Sequence, residues 1–204
     1  MKLRIVLTAA LALAATSGVS RAADPRYPDW PCTQAKVPEI SLAAVWAGPA
    51  LDDVQNKWKD DAKVSALVSK LSARRTPIDE AEKLVKEFLA ASATDKTANA
   101  KLLFAGLFDT LNAQRSQVMN GLERVSRKQR EAADKIRDET LQLQALQGAT
   151  QRDEAKVEAL SNELIWKTRI FEDRNKVVRF VCEVPTTIDQ RLFALGRVIQ
   201  QEME

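Results

Sequence analysis

The stretch that decides the fold is residues 118–181, which read VMNGLERVSRKQREAADKIRDETLQLQALQGATQRDEAKVEALSNELIWKTRIFEDRNKVVRFV. No proline lies between Thr97 and Val184, and the triplet Gly148-Ala149-Thr150 interrupts an otherwise continuous helical pattern. Two long helices that are joined by three residues fold back on each other. The sequence therefore predicts a long antiparallel helical hairpin over residues 118–181, with its tip at residues 148–150.

Both arms of this hairpin repeat their apolar residues in alternating steps of three and four, the period of a coiled-coil seam. The predicted seam positions are Val118, Leu122, Val125, Gln129, Ala132, Ile136, Glu139, Leu143 and Leu146, then Val157, Leu160, Leu164, Lys167, Phe171, Arg174, Val178 and Val181. Folding about Ala149 predicts that Lys167 lies opposite Gln129. Toward the tip the sequence is charged outside the seam, so we expect this part to project from a helical body.

The base of the hairpin carries more apolar residues than one seam uses. On the second arm these are Ile165, Trp166, Ile170, Val177 and Phe180. A helix that is apolar on more than one face packs on more than one side, so we expect other helices to cover them. The expected body is a single helical domain over residues 51–204, which includes the hairpin.

Three further helices are predicted for this body. The first starts after Pro49 and ends near Arg74-Arg75, with apolar residues at three- and four-residue steps. The second begins with Thr76 as its N-cap and Pro77 in its first turn. The last follows Pro185, with Thr187 as its N-cap and Gln190 three residues later.

Residues 23–50 differ from the rest of the chain, because five of the seven prolines lie there, together with Trp30 and Trp46. Proline removes a hydrogen-bond donor and disfavours helix at the residue before it. We expect an extended, Pro/Trp-rich N-terminal arm that lies over an otherwise all-α protein.

The first residues are typical of a secretory signal peptide. Lys2 and Arg4 precede an apolar run over residues 5–15, and Ser20-Arg21-Ala22 offers small residues for cleavage after Ala22. The alternative, a membrane anchor, needs roughly 20 apolar residues. The sequence predicts a signal peptide over residues 1–22, a periplasmic protein and no stable membrane insertion after cleavage.

Removal of this peptide changes the charge balance. It would take away three of the 31 cations and none of the 28 anions, which leaves 28 of each. Nucleic-acid binding needs a basic patch that neutralises phosphates, and a neutral chain does not favour it. The cationic run from Arg124 to Arg137 includes Glu131 and Asp134, which favours a solvated helix flank with ion pairs over a polyanion site.

Cys32 and Cys182 are the only cysteines. An even pair in an exported chain most often forms a disulfide, which would fasten the N-terminal arm to the base of the hairpin. Two free thiols are the alternative. A catalytic thiol is disfavoured, because the chain has no C-x-x-C motif and no histidine to lower a thiol pKa.

The absence of histidine also excludes His general bases and His-containing metal sites. No phosphate-binding loop, EF-hand or nucleophile-elbow motif occurs. We therefore expect a non-enzymatic protein with no catalytic residues, no cofactor and no metal.

The segment Tyr27-Pro28-Asp29-Trp30-Pro31-Cys32, with Trp46-Ala47-Gly48-Pro49 downstream, resembles the opening of uncharacterised exported proteobacterial proteins. That resemblance implies export and attaches no function. The predicted long hairpin is similar in architecture to the periplasmic Skp-type chaperones, although the neutral charge departs from that strongly basic family.

These observations predict a periplasmic interaction or scaffold protein that docks another envelope protein through its hairpin. The candidate partner-binding tip is Gly148, Ala149 and Thr150, with the Pro/Trp-rich arm as the other candidate surface. The alternative is a holdase-type chaperone of envelope proteins. Self-association into a homo-oligomer stays open.

Overall fold

The structure, a computed structural model, describes residues 24–92 and 94–203. The helices are α1 (Leu42–Val45), α2 (Ala62–Ser72), α3 (Ile78–Ala91), α4 (Lys96–Gln147), α5 (Glu154–Val181) and α6 (Val184–Met203), with a 3-10 helix at Lys57–Lys59. No strand occurs within these described ranges, which confirms the all-α class. The predicted signal peptide lies outside them.

The hydrophobic core forms where α2, α3 and α6 pack around the first part of α4. Its fully buried large side chains include Leu71, Leu89, Leu103, Phe104, Leu107, Leu111, Leu192, Leu195 and Ile199. Trp46, which follows α1, stacks on Phe104 with ring centroids 4.3 Å apart. Gly196 of α6 allows this close packing, because a Cβ there would lie 2.8 Å from Phe104 Cε2.

The predicted helix over residues 51–75 is wrong in its first half. The chain turns through Asn56, which has a φ of 66°, and α2 begins only at Ala62. Asp61 is the N-cap, and its carboxylate accepts hydrogen bonds from the backbone N–H groups of Lys63 and Val64 at 2.9 and 3.0 Å. A side chain that accepts hydrogen bonds from the free backbone N–H groups of a first helical turn favours a helix start. The turn before it can form at Asn56, because asparagine tolerates left-handed backbone.

Both predicted threonine caps are also wrong. The Thr76 hydroxyl donates to the carbonyl of Lys70 at 2.8 Å, and the Thr187 hydroxyl donates to the carbonyl of Glu183 at 3.0 Å. Each threonine hydroxyl donates to the carbonyl of an earlier residue, a local hydrogen bond that competes with the capping of a following helix. Accordingly, α6 starts at Val184 and carries Pro185 in its first turn, where a missing N–H breaks no helical bond.

Helices α4 and α5 pack along each other in opposite directions. Gln129 of α4 donates to Asn175 Oδ1 at 3.0 Å, whereas Glu139, later in α4, pairs with Lys167, earlier in α5. The expected contact of Lys167 with Gln129 is therefore wrong. The register differs because the connection is longer than three residues: α5 starts after Asp153, whose carboxylate accepts from Lys156 N at 3.1 Å.

The N-terminal arm crosses this helix pair and is fastened at its base. The predicted pairing of the two cysteines is confirmed, since the sulfur atoms of Cys32 and Cys182 lie 2.06 Å apart and their Cα atoms 5.6 Å apart. The Gln34 side-chain amide donates to the carbonyl of Cys182, and the Trp30 indole N–H donates to the carbonyl of Gln34 at 2.7 Å. A disulfide fits an oxidising compartment.

Further contacts hold the arm along α4. Arg115, which is buried, donates to the carbonyl of Pro38 at 3.2 Å and to Asp189 Oδ1 of α6 at 2.7 Å. Lys36 Nζ lies 2.6 Å from Glu123 Oε1, with both side chains largely buried. As the arm proceeds from Asp29 to Pro38, its contacts move from Arg130 back to Arg115, so the arm runs antiparallel to α4.

None of the helices in the described part of the chain is long and apolar enough to cross a bilayer.

Candidate partner-binding surface

One flank of the α4–α5 pair is covered by the N-terminal arm. Asp29 bridges Arg127 and Arg130 of α4, with its Oδ2 atom 2.7 Å from Arg127 Nη1. These two hydrogen-bonded guanidinium groups hold the pKa of Asp29 below its usual value. The carboxylate therefore stays ionised, and the arm is held by charge as well as by the disulfide.

Part of the cationic run thus has a structural use that its sequence did not show. The predicted helix-flank ion pairing is present between Arg137 and Asp134, at 2.9 Å. Arg127 and Arg130 instead pair with Asp29 of the arm. That pairing was missed because their carboxylate partner lies far away in sequence.

The other flank is uncovered and carries large apolar side chains. On α5 the exposed fractions are 64% for Ile165, 63% for Trp166, 45% for Ile170, 59% for Val177 and 78% for Phe180. The expectation that other helices cover these residues is wrong, because α2, α3 and α6 pack against the first part of α4 instead. We call the four of them that share one helix face, Trp166, Ile170, Val177 and Phe180, the α5 stripe.

The spacing of the α5 stripe is that of a second coiled-coil seam. Trp166, Ile170, Asp173, Val177 and Phe180 follow one another in steps of four, three, four and three. Asp173, the polar residue within this seam, has its Oδ1 atom 3.0 Å from Lys176 Nζ. Scattered exposed apolar residues are normal on a protein surface, whereas a row with this period has the spacing of a helix–helix seam.

A groove of about 730 Å³ adjoins the α5 stripe on the α4 side, and Val177 belongs to both. Its apolar lining is Val118, Leu122, Val125, Val177, Val178 and Val181. Val125 is 39% exposed at its edge. Gly121 also lines it, and a Cβ built there would meet only Arg124 Nη2, at 3.8 Å.

Three cations line the same groove: Arg124 and Lys128 of α4 and Arg174 of α5. No carboxylate is among its lining residues, and within residues 24–92 and 94–203 none of the three makes an ion pair. The groove therefore combines an apolar floor with unpaired positive charge.

The groove and the arm lie on different faces of α4. At about 3.6 residues per turn, Gly121 and Lys128 form one face of α4, and Glu123, Arg127 and Arg130 form a second face on roughly the opposite side. The second face binds the arm. Within residues 24–92 and 94–203, the arm thus covers one side of the helix pair and the other side stays bare.

The predicted tip residues Gly148, Ala149 and Thr150 are exposed and lie in the connection between α4 and α5. Their neighbours Gln151, Arg152 and Asp153 are exposed as well. The apolar side chain nearest to them with a large exposed fraction is Leu141, at 59%. Binding at the tip stays a prediction, and the extended apolar surface lies elsewhere, along α5.

One cation between α4 and α5, Lys167, is neutralised within the helix pair. Lys167 bridges Glu139 and Glu163, and its hydrogen bonds to these carboxylates raise its pKa, so that it stays charged. At the body, burial raises the pKa of Asp189 more than the adjacent Arg115 lowers it. The described residues contain no group of three or more side chains arranged to hold a metal ion.

Comparison of the chain with protein-family models, with curated proteins and with solved structures gives no match.

Proposed function

We propose that this chain is a non-enzymatic interaction protein of the cell envelope, which binds another envelope protein through the bare flank of α4 and α5. The observation that supports this most is the α5 stripe. Leaving a large apolar side chain in water rather than burying it forgoes about 1.5–3 kcal/mol. A row of such side chains at seam spacing is typical of a binding surface.

Two features support the proposed compartment. The predicted signal peptide supports export, and the Cys32–Cys182 bond fits an oxidising environment. The bond, together with Asp29, keeps the arm on the far flank. A fastened arm pre-organises the helix pair and so lowers the ordering cost of binding a partner.

The experiment compares the protein with two variants in affinity purification from envelope extracts, with quantitative mass spectrometry. Ile170→Glu puts a charge into the α5 stripe. Gln144→Glu adds the same charge at an exposed position of α4. We expect Ile170→Glu to lose a specific partner at least tenfold and to keep its thermal midpoint, because surface changes usually alter stability by less than about 0.5 kcal/mol. Equal recovery with both variants would contradict the proposal.

A second candidate function is a holdase for unfolded envelope proteins, favoured by the same exposed apolar residues. It predicts that the protein suppresses aggregation of an unfolded outer-membrane protein at equimolar concentration, and that Ile170→Glu weakens this suppression. An interaction protein with one partner would leave that aggregation unchanged.

A further inference from the structure

We infer that the groove between α4 and α5 binds an α-helix of the partner protein, and that this helix carries acidic residues beside its apolar seam. The inference rests on the proposed function and specifies the chemistry of the partner. A helix placed there would lie on the groove floor and contact the α5 stripe through Val177.

The shape of the surface favours a helix over a small amphiphile. Residues 118–128 of α4 span roughly 15 Å at 1.5 Å per residue, about three turns of a partner helix. The seam spacing of the α5 stripe extends the surface beyond the groove, along Ile170 and Trp166. A single acyl chain would occupy the groove and leave that seam exposed, whereas a helix with a heptad seam covers both.

Gly121 provides the close approach that such packing requires. It lies inside α4, where glycine costs about 1 kcal/mol relative to alanine, and among the described residues only Arg124 Nη2, at 3.8 Å, comes near a Cβ built there. Small residues at a helix interface let two helix backbones come close together. The cost is offset if a partner helix crosses at this point.

The positive charge of the groove favours an acidic partner helix over a second copy of this chain. Arg124, Lys128 and Arg174 face the groove without a carboxylate partner, so acidic residues along the edge of an incoming helix would pair with them. A second copy of this chain, docked through the same groove, would bring the same three cations against their equivalents. Like charges at an interface cost several kcal/mol, which disfavours self-association here and favours an acidic partner.

The test uses two synthetic helical peptides of equal length with the same leucine seam. One carries glutamates beside the seam and the other carries lysines. Binding to the disulfide-bonded protein is measured by fluorescence anisotropy. We expect the glutamate peptide to bind at least tenfold more tightly than the lysine peptide.

Three variants distinguish the contribution of the groove's shape to peptide binding from that of its charge. Arg124→Glu with Lys128→Glu should reverse the preference between the two peptides. Gly121→Leu should weaken the glutamate peptide at least tenfold and keep the fold, because the new side chain enters open space. Lys63→Glu with Lys86→Glu, an equal charge change at exposed positions of α2 and α3, should bind like the unaltered protein.

Equal binding of the two peptides, binding by neither peptide, or full binding by Gly121→Leu would overturn the inference. Tight binding of palmitate with no binding of either peptide would assign the groove to an anionic lipid instead. A dimer in sedimentation that Gly121→Leu dissociates would assign it to a second copy. The affinity purification with Ile170→Glu does not depend on the charge of the groove. If the peptide experiment fails but Ile170→Glu still loses its partner, the inference is wrong and the proposed function stands.

Discussion

Two glycines inside helices give opposite predictions for the same substitution, Gly→Ala. An interior glycine costs a helix about 1 kcal/mol relative to alanine. At Gly121 the new methyl group would meet only Arg124 Nη2 at 3.8 Å, an ordinary contact. We therefore expect Gly121→Ala to raise the free energy of unfolding by about 1 kcal/mol.

At Gly196 the same methyl group has no room. It would lie 2.8 Å from Phe104 Cε2 and 2.9 Å from the carbonyl oxygen of Val45, and a backbone oxygen cannot rotate away as a side chain can. Overpacking costs up to about 3 kcal/mol. After the gain in helix propensity, we expect Gly196→Ala to lower the free energy of unfolding by about 2 kcal/mol.

The assay is urea unfolding of each variant, followed by far-UV circular dichroism and compared at equal m-values. The two variants should differ by about 3 kcal/mol, the sum of the gain at Gly121 and the loss at Gly196. Gly106→Ala tests overpacking against side chains, since its methyl group would lie 2.6 Å from Val68 Cγ2 and 2.9 Å from Trp58 Cδ2. If Gly196→Ala proves as stable as Gly121→Ala, the packing around Phe104 is not as described.

Two further predictions concern the N-terminal arm. Replacing Cys32 and Cys182 together by alanine should lower the free energy of unfolding by about 4–5 kcal/mol, because the bond closes a loop across a sequence separation of 150 residues. A loss below about 1 kcal/mol in urea unfolding would show that the disulfide does not constrain the unfolded chain as expected. In an NMR titration, Asp29 should have a pKa below 3.8 that rises when Arg127 and Arg130 are both changed to glutamine. Since the folded pKa is the lower one, this contact stabilises the fold above pH 3.8 and is lost as the pH falls through the folded value. A pKa that does not rise in the variant would argue against the bridge.

The sequence predicts the parts of the fold that local patterns determine. The absence of proline from Thr97 to Val184 predicts long helices, and the even cysteine pair behind a predicted signal peptide predicts the bond between Cys32 and Cys182. Helix ends were harder to predict, because one residue type serves several uses. Thr76 and Thr187 match the cap pattern, yet both donate to earlier carbonyls. Asp61 starts α2, although the spacing of the apolar residues shows no break at that position.

The apolar residues of the candidate surface can be recognised in the sequence, but the prediction that other helices of the chain cover them was wrong. The exposed residues of α5 were identified as an apolar excess, but periodicity does not say whether a seam is filled by the same chain or by another. Trp166, Ile170 and Val177 look like core residues until the positions of α2, α3 and α6 are known. The groove depends on tertiary structure as well, because Gly121 and Arg174 belong to different helices whose register follows from the cap at Asp153.

The most direct test of the central claim is in-cell photo-crosslinking from three single positions. Ile170 lies in the α5 stripe, Ala149 at the tip, and Glu172 on another side of α5, since residues two apart on a helix do not share a face. We expect one dominant adduct with another protein from Ile170, and none at comparable yield from Glu172. A dominant adduct from Ala149 alone, or no adduct from Ile170, would contradict the assignment of the bare flank of α4 and α5 as the binding surface.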